Sequence, residues 1–180
     1  MTGLMTDLPQ AEPLTERLAL RRPLPSDVDA IFAIHHDPRA SEHNPSDALA
    51  TRGEAEALFS RWDEHWRLRG YGYWVVRDRA SPDVLGFCGL KNMRLHERRV
   101  LNLFYRLAPS AWGRGIASEA ATAAVDWART HLPDEPVIAR VRPDNVASAR
   151  VALRAGLVRA EHLDGPGYDG FDLIYVSTWP

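Results

Sequence analysis

Residues 109–120 read PSAWGRGIASEA, two glycines set around an arginine between an aromatic-rich run and an alanine-rich one. The segment before it, Val100–Leu107 (VLNLFYRL), has the apolar and aromatic content of a β-strand. The segment after it, Ile116–Thr130, reads as a helix. A strand that passes through glycines into a helix start gathers unpaired N–H groups at the positive end of the helix dipole, which favours an anion. Gly113 and Gly115 let the backbone curl so that successive N–H groups converge, and Arg114 adds a charge at the rim. A plain glycine turn between two elements fits the same residues.

Two nucleotide-binding loops do not fit. A phosphate-gripping P-loop requires Gly-Lys-Ser/Thr, and the stretch has no lysine. The dinucleotide fingerprint requires a third Gly or Ala where Ser118 stands, and the next strand ends in Arg140–Arg142 rather than in a ribose-binding acid.

Downstream, Val137–Val141 (VIARV) reads as a strand close enough for a parallel crossover. RPDN then leads into a helix at Val146–Ala155, with Asn145 as its N-cap and Gly156 as its stop. Leu157–His162 and Phe171–Trp179 read as two final strands joined by a glycine-rich loop. Upstream, Tyr71–Arg77 and Val84–Leu90 are strand-like, and the DRASPD between them predicts a hairpin. The following KNMRLHERR reads as a charged, solvated connection. Thr51 with Glu54 predicts a capping box opening a helix whose Leu58, Phe59, Trp62 and Trp66 keep 3.6-residue spacing. Ser26 is placed to cap Asp27–Ile34, Arg17–Arg22 alternates like a first strand, and residues 1–13 read as a loose arm. The order β-α-α-β-β-β-α-β-α-β-β predicts a mixed α/β (α+β) plan in a single domain over 1–180.

With 45% hydrophobic and 26% charged residues, the composition is that of an ordinary globular protein. A net charge of −2 argues against broad nucleic-acid binding, and no apolar run is long enough for a membrane span. One cysteine, Cys88, excludes an internal disulfide framework and suits a reducing compartment. The first residues, MTGLMTDLPQAEP, do not read as a signal peptide, so the expected location is cytoplasmic. Lys91 is the single lysine among many arginines, a compositional bias rather than a functional sign.

LNLFYRLAPSAWGRGIASEAATAAVDWAR, followed by VRPDNVASARVALRAGL, resembles the GCN5-related N-acetyltransferase (GNAT) family, and within it the branch that contains the ribosomal-protein alanine N-terminal acetyltransferases. The resemblance runs from about Thr15 to Trp179 and rests on the glycine loop linked to N-x-x-S before RAGL. It implies a central, mostly antiparallel mixed sheet with helices on both faces, whose two parallel strands splay to admit pantetheine. It assigns coenzyme A contacts to the backbone of Phe104, Tyr105, Arg106 and Leu107, and pyrophosphate contacts to Trp112, Gly113, Arg114, Gly115, Ile116 and Ala117. It puts Asn145 beside the pantetheine and Ser148 at the sulfur as catalytic residues, and an oxyanion-binding N–H near Phe104 or Tyr105. The implied function is direct transfer of an acetyl group from acetyl-CoA to a primary amine, at a protein or peptide N-terminus or on a small molecule. A CoA-binding sensor without efficient turnover is the alternative. The expected partners are acetyl-CoA and the amine, with neither nucleic acid nor membrane, in a monomer or homodimer.

Two positions depart from the family pattern: Ser110 replaces a Gln or Arg before the loop, and Asn102 stands where a glutamate base is common. The base is therefore open among His96, Glu97, Glu161 and a water chain from a backbone carbonyl. Asn145 also reads as a simple helix cap and Ser148 as a solvated serine. Glu119 suits the dipole of its helix, and Trp62, Trp66 and Trp74 read as core. Adjacent His35 and His36 project about 100° apart on a helix, so the reading is an acceptor-cleft or surface role with no metal. RLHERR is a solvated loop or, alternatively, a clamp for an acidic acceptor.

Overall fold

The computed structural model describes residues 12–179; the arm expected over 1–13 lies outside the described residues except for its last two. Strands Leu18–Arg21 (β1), Tyr73–Asp78 (β2), Val84–Leu95 (β3), Arg98–Leu107 (β4), Val137–Val141 (β5), Val158–Arg159 (β6) and Phe171–Val176 (β8) form a sheet in the order β1-β2-β3-β4-β5-β8-β6. Gly165–Pro166 (β7) pairs with β8 off this path. Every pairing is antiparallel except that of β4 with β5. The mixed, mostly antiparallel sheet follows the predicted plan.

Strand alternation sorts the apolar residues onto two faces. Leu101, Leu103 and Leu107 of β4 join a core with helices Ile116–His131 (α3) and Val146–Arg154 (α4). Ala120, Ala121, Ala124 and Ala128 of α3 are buried there, and their small side chains let the helix lie close to the sheet. On the other face, Val28, Ile31 and Ile34 of Val28–His36 (α1) and Ala55 and Trp62 of Arg52–Arg69 (α2) pack on Val75 and Phe87. Trp62 and Trp66 are buried, as their helical spacing predicts, and Trp74 on β2 is buried with them, as expected of a core residue.

The local signals that held are those with local partners. Thr51 Oγ1 accepts the Glu54 N–H at 3.2 Å, and the Glu54 carboxylate accepts the Thr51 N–H at 3.1 Å. Gly156 (φ 84°) follows α4 as its position predicts, and Gly70 (φ 76°), a stop outside those expectations, ends α2.

Three expectations are corrected. Ser26 does not cap α1. A single turn, Pro25–Asp27, precedes the helix, and Asp27 turns its carboxylate to the Arg21 guanidinium at 2.7 and 2.8 Å and to the Leu24 N–H at 2.7 Å. KNMRLHERR is not a solvated connection: β3 continues through Leu95 and returns as β4 over a two-residue turn, His96–Glu97, both with positive φ (46° and 64°). Met93 and Leu95 face the apolar cluster of Val100, Ile138, Ile174 and Val176, while the charged side chains between them mask the alternation. The last segments are not two long strands. Asp164 binds both Arg159 and the Ile174 N–H and folds the connection back, so β6 spans two residues and a short turn, Glu161–Leu163, follows it.

Asp27 gives the fold a pH-sensitive anchor. Burial pushes its carboxyl up, but the Arg21 hydrogen bonds, the Leu24 N–H and the nearby positive charge outweigh burial and hold it below the usual carboxylate range. A depressed folded pKa contributes stability that is fully present above the unfolded value of about 3.9 and lost as pH falls through the folded value. Asp27→Ala is expected to cost about 3 kcal/mol, because it leaves the Arg21 charge without its buried partner. Denaturant melts should show that the difference between wild type and variant shrinks below about pH 4.

Candidate active site

β4 and β5 pair only at Leu101↔Val137 and Asn102↔Ile138, although β4 runs on to Leu107 and β5 to Val141. Beyond that point each strand is held by its outer neighbour, β4 by β3 and β5 by β8, and a gap opens between them. Leu101 donates its N–H to the Pro136 carbonyl across the junction at 2.8 Å. Strand alternation therefore directs the N–H and C=O groups of Leu103, Tyr105 and Leu107 into the gap, and those of Phe104 and Arg106 toward β3. Of the two oxyanion candidates, Tyr105 faces the gap and Phe104 does not. The Trp112 indole closes the far end by donating to the Leu107 carbonyl at 3.2 Å.

The glycine loop lies at that end. Gly113 (φ 72°) and Gly115 (φ 74°) both adopt the left-handed conformation, and residues 112–115 are exposed. A side chain on Gly113 would meet nothing within 4 Å among the described residues, which leave the outer side of the loop open. The first bond of α3 runs from the Glu119 N–H to the Gly115 carbonyl, which leaves the N–H groups of Ile116, Ala117 and Ser118 outside the helix ladder. The Ile116 side chain is core, so only its backbone can serve a ligand. The loop and helix start thus present the backbone cradle that a pyrophosphate requires.

The sequence reading missed how this loop is braced. Glu119 accepts the Thr15 hydroxyl at 2.5 Å, the Arg17 N–H at 3.0 Å and Arg17 Nε at 2.7 Å. Arg17 Nη1 in turn donates to the Arg114 carbonyl at 2.8 Å. Glu119 is structural, as its helix position predicted, and it works through a residue 102 positions away.

Asn145 Oδ1 accepts the Ser148 N–H at 3.0 Å, so it caps α4. The Ser148 hydroxyl is not merely solvated. It lies 2.6 Å from the Tyr105 hydroxyl, a partner that strand reading, concerned with the Tyr105 backbone, did not identify. Burial pushes the Tyr105 phenol above its ordinary value, against a smaller opposing effect of the Ser148 bond, so it stays protonated.

A cavity of about 410 Å³ connects the two faces of the sheet through the gap. Tyr105, Ser148 and Ala152 line it from the α4 side; His35, Trp62, Tyr73, Phe104 and Arg106 line it from the α1/α2 side. His35 is buried, with Nδ1 2.9 Å from the Ile31 carbonyl, which fixes Nδ1 as the donor and leaves Nε2 as an acceptor. Burial, then the Arg106 charge, lower its pKa to about 4, so it is neutral at physiological pH. Arg106 pairs with Asp47 at 2.8 Å. His36 instead bonds the Leu49 carbonyl from an exposed position.

Asn102 lines the cavity where the strands part, and its buried Oδ1 has no hydrogen-bond partner among the described residues. None of the three side chains considered as bases borders this cavity. His96 and Glu97 form the exposed β3–β4 turn, and Glu161 begins the exposed turn after β6. Cys88 is buried in the α3/α4 core, where burial pushes its thiol up, and it does not line the cavity.

Residues 17–158 match the family described as the acetyltransferase (GNAT) domain. Among curated proteins, the uncharacterized protein YkkB of Bacillus subtilis is 33% identical over 98 residues, covering 52% of this chain and 57% of that one. An acetyltransferase from Agrobacterium tumefaciens superposes with a TM-score of 0.78 at 27% identity, covering 99% of both chains. The ribosomal L7/L12 alpha-N-protein acetyltransferase RimL, solved with coenzyme A, superposes with a TM-score of 0.73 at 19% identity, covering 92% of this chain and 96% of that one.

The capping geometry yields a direct test. Asn145→Ala should cost about 0.5–2 kcal/mol in denaturant unfolding. Asn145→Asp should recover most of that loss, because its carboxylate can still accept the Ser148 N–H.

Proposed function

The chain belongs to the GNAT family of acetyltransferases, and from that premise we propose that it passes an acetyl group from acetyl-CoA directly to a primary amine in a ternary complex. The observation that carries this reading is the two-pair β4/β5 ladder, which leaves unpaired Tyr105 backbone groups beside the Tyr105–Ser148 hydroxyl pair. Acetyl-CoA supplies the activated thioester. The backbone of Leu103, Tyr105 and Leu107 would pair with the pantetheine amides as a neighbouring strand does. The Trp112 N–H is taken by the Pro109 carbonyl at 3.1 Å, so the N–H groups from Gly113 to Ala117 would receive the pyrophosphate, and Asn145 orients the first turn of α4 beside the arm.

Each demand of the reaction then has a group on this chain. As nitrogen bonds to the carbonyl carbon, the Tyr105 N–H stabilises the charge that develops on oxygen. As the carbon–sulfur bond breaks, the Ser148 hydroxyl, held in line by the protonated Tyr105 hydroxyl, gives its proton to sulfur; the proton shed by the amine nitrogen passes to solvent in the cavity, from which the hydroxyl pair is reprotonated, so that amine and thioester end as amide and free thiol. The amine enters from the α1/α2 side, where neutral His35 offers Nε2 as a hydrogen-bond acceptor. Cys88, buried with a raised pKa, is not available to carry an acyl intermediate, which supports direct transfer. The acceptor is a protein or peptide N-terminus or a small-molecule amine. A cytoplasmic setting suits a chain whose single cysteine is free.

Ser148→Ala should cost about 1 kcal/mol of stability, because the Tyr105 hydroxyl loses its partner, and lower kcat by roughly tenfold or more, within the range of proton-transfer effects. Tyr105→Phe should lower kcat in the same direction, with little change in the KM for acetyl-CoA. Normal kcat in both variants would remove the hydroxyl pair from the mechanism.

The cradle can be tested without knowing the acceptor. At 100 times Kd, CoA should add about 2.7 kcal/mol of stability, a rise of several degrees at about 2–4 °C per kcal/mol. Pantetheine, which lacks the pyrophosphate, should stabilise much less, and NAD should do little. Gly115→Val should remove most of the CoA shift, because a β-branched residue disfavours φ near 74°. Equal shifts with CoA and pantetheine would reject the pyrophosphate cradle.

A further inference from the structure

On the α1/α2 side the cavity is lined by ionic side chains of both signs, and they differ in how far their charge is already spent. Asp47 pairs with Arg106, and Asp172 pairs with Arg140 at 2.7 Å and approaches Arg142 at 3.6 Å. Asp169 accepts the Ser46 N–H at 2.9 Å and the Ser46 hydroxyl at 2.7 Å. Asp47 and Asp172 are thus ion-paired, while Asp169 keeps its charge with both oxygens held by Ser46. Two of the cations are not paired: among the described residues neither Arg61 of α2 nor Lys91 of β3 makes an ion pair or side-chain hydrogen bond.

These two cations share one place. Both border the main cavity, and both also border a side cavity of about 60 Å³ walled by Trp62 and Tyr73. His65, on the same wall, brings no negative charge. Its Nδ1 bonds the Tyr71 carbonyl and its Nε2 accepts the Asn92 N–H, while burial lowers its pKa. Lys91 stands directly across the β3–β4 ladder from Asn102, the residue at which the strands part. The single lysine of the chain therefore lies beside the mouth of the transfer gap.

We infer that Arg61 and Lys91 form an anion subsite of the acceptor cleft, so that the preferred acceptor is a primary amine whose body carries a carboxylate or phosphate. The inference rests on the reading that this cleft receives the amine. An aromatic wall beside two unspent cations suits a small organic body with an acidic group. The same geometry disfavours polyamines, whose second charge would meet Arg61 and Lys91. It also moves the recognition of an acidic acceptor away from the His96–Glu97 turn, which does not border the cavity.

Isothermal titration of the CoA-saturated protein with paired probes tests the subsite without requiring turnover. The pairs are Asp-Ala-Ala amide against Asn-Ala-Ala amide, and phosphoethanolamine against ethanolamine. At least one anionic member should bind roughly tenfold or more tightly than its neutral-bodied partner, as a charged hydrogen bond implies. Which pair discriminates tells a carboxylate from a phosphate acceptor. The preference should weaken with added salt and collapse toward unity in Arg61→Gln/Lys91→Gln, whose substituted positions are exposed and whose folding a melt would verify. No preference in either pair, no binding of either anionic probe, or a preference that survives the double variant would overturn the subsite. Loss of the CoA thermal shift in wild type would instead overturn the transferase reading.

Discussion

Two residue pairs, Leu101↔Val137 and Asn102↔Ile138, join β4 to β5, and the site follows from where that pairing stops. Backbone N–H and C=O groups that lose a strand partner must find another, because leaving them buried and unpaired costs as much as a lost hydrogen bond. At the far end the Trp112 indole takes the Leu107 carbonyl. Between that closure and Asn102, the edge of β4 offers alternating donors and acceptors to any extended chain that can enter. The antiparallel neighbours β3 and β8 carry the cost of keeping the strands apart, since each holds its own strand by a continuous ladder. The gap is therefore built into the sheet and does not depend on a ligand to open it.

The elements read correctly from sequence are those whose cause lies within a few residues. The Thr51–Glu54 box, the Gly156 stop, the strand at Val137–Val141 and the glycine loop between β4 and α3 all belong to this class. The errors share an opposite cause. Asp27 bonds Arg21 on the preceding strand instead of opening the helix, and Ser26 has no role as a cap. The basic run after Leu90 reads as solvated chain because of its charges, while Met93 and Leu95 supply the inward half of the alternation. At the site, sequence separation marks what was invisible: 43 residues for the Tyr105–Ser148 contact, 59 for Arg106–Asp47 and 102 for Arg17–Glu119. Polar side chains of this kind acquire a role only from the sheet that brings them together.

The hairpin misread as a loop also fixes the chemistry of the cleft. Along β4, successive side chains alternate between the faces: Tyr105 meets Ser148 on one, while Phe104 and Arg106 face α1 and α2 on the other. A slip of one residue against β3 would exchange these sets, putting the arginine on the Ser148 side and the tyrosine on the α1/α2 side. Register runs unbroken from Leu95↔Arg98 to Gly86↔Leu107, and the two-residue His96–Glu97 turn sets its origin. The same register places Lys91 opposite Asn102, at the end of the β4/β5 ladder. A turn that borders no cavity thus decides which side chains face α4 across the gap and which face α1 and α2.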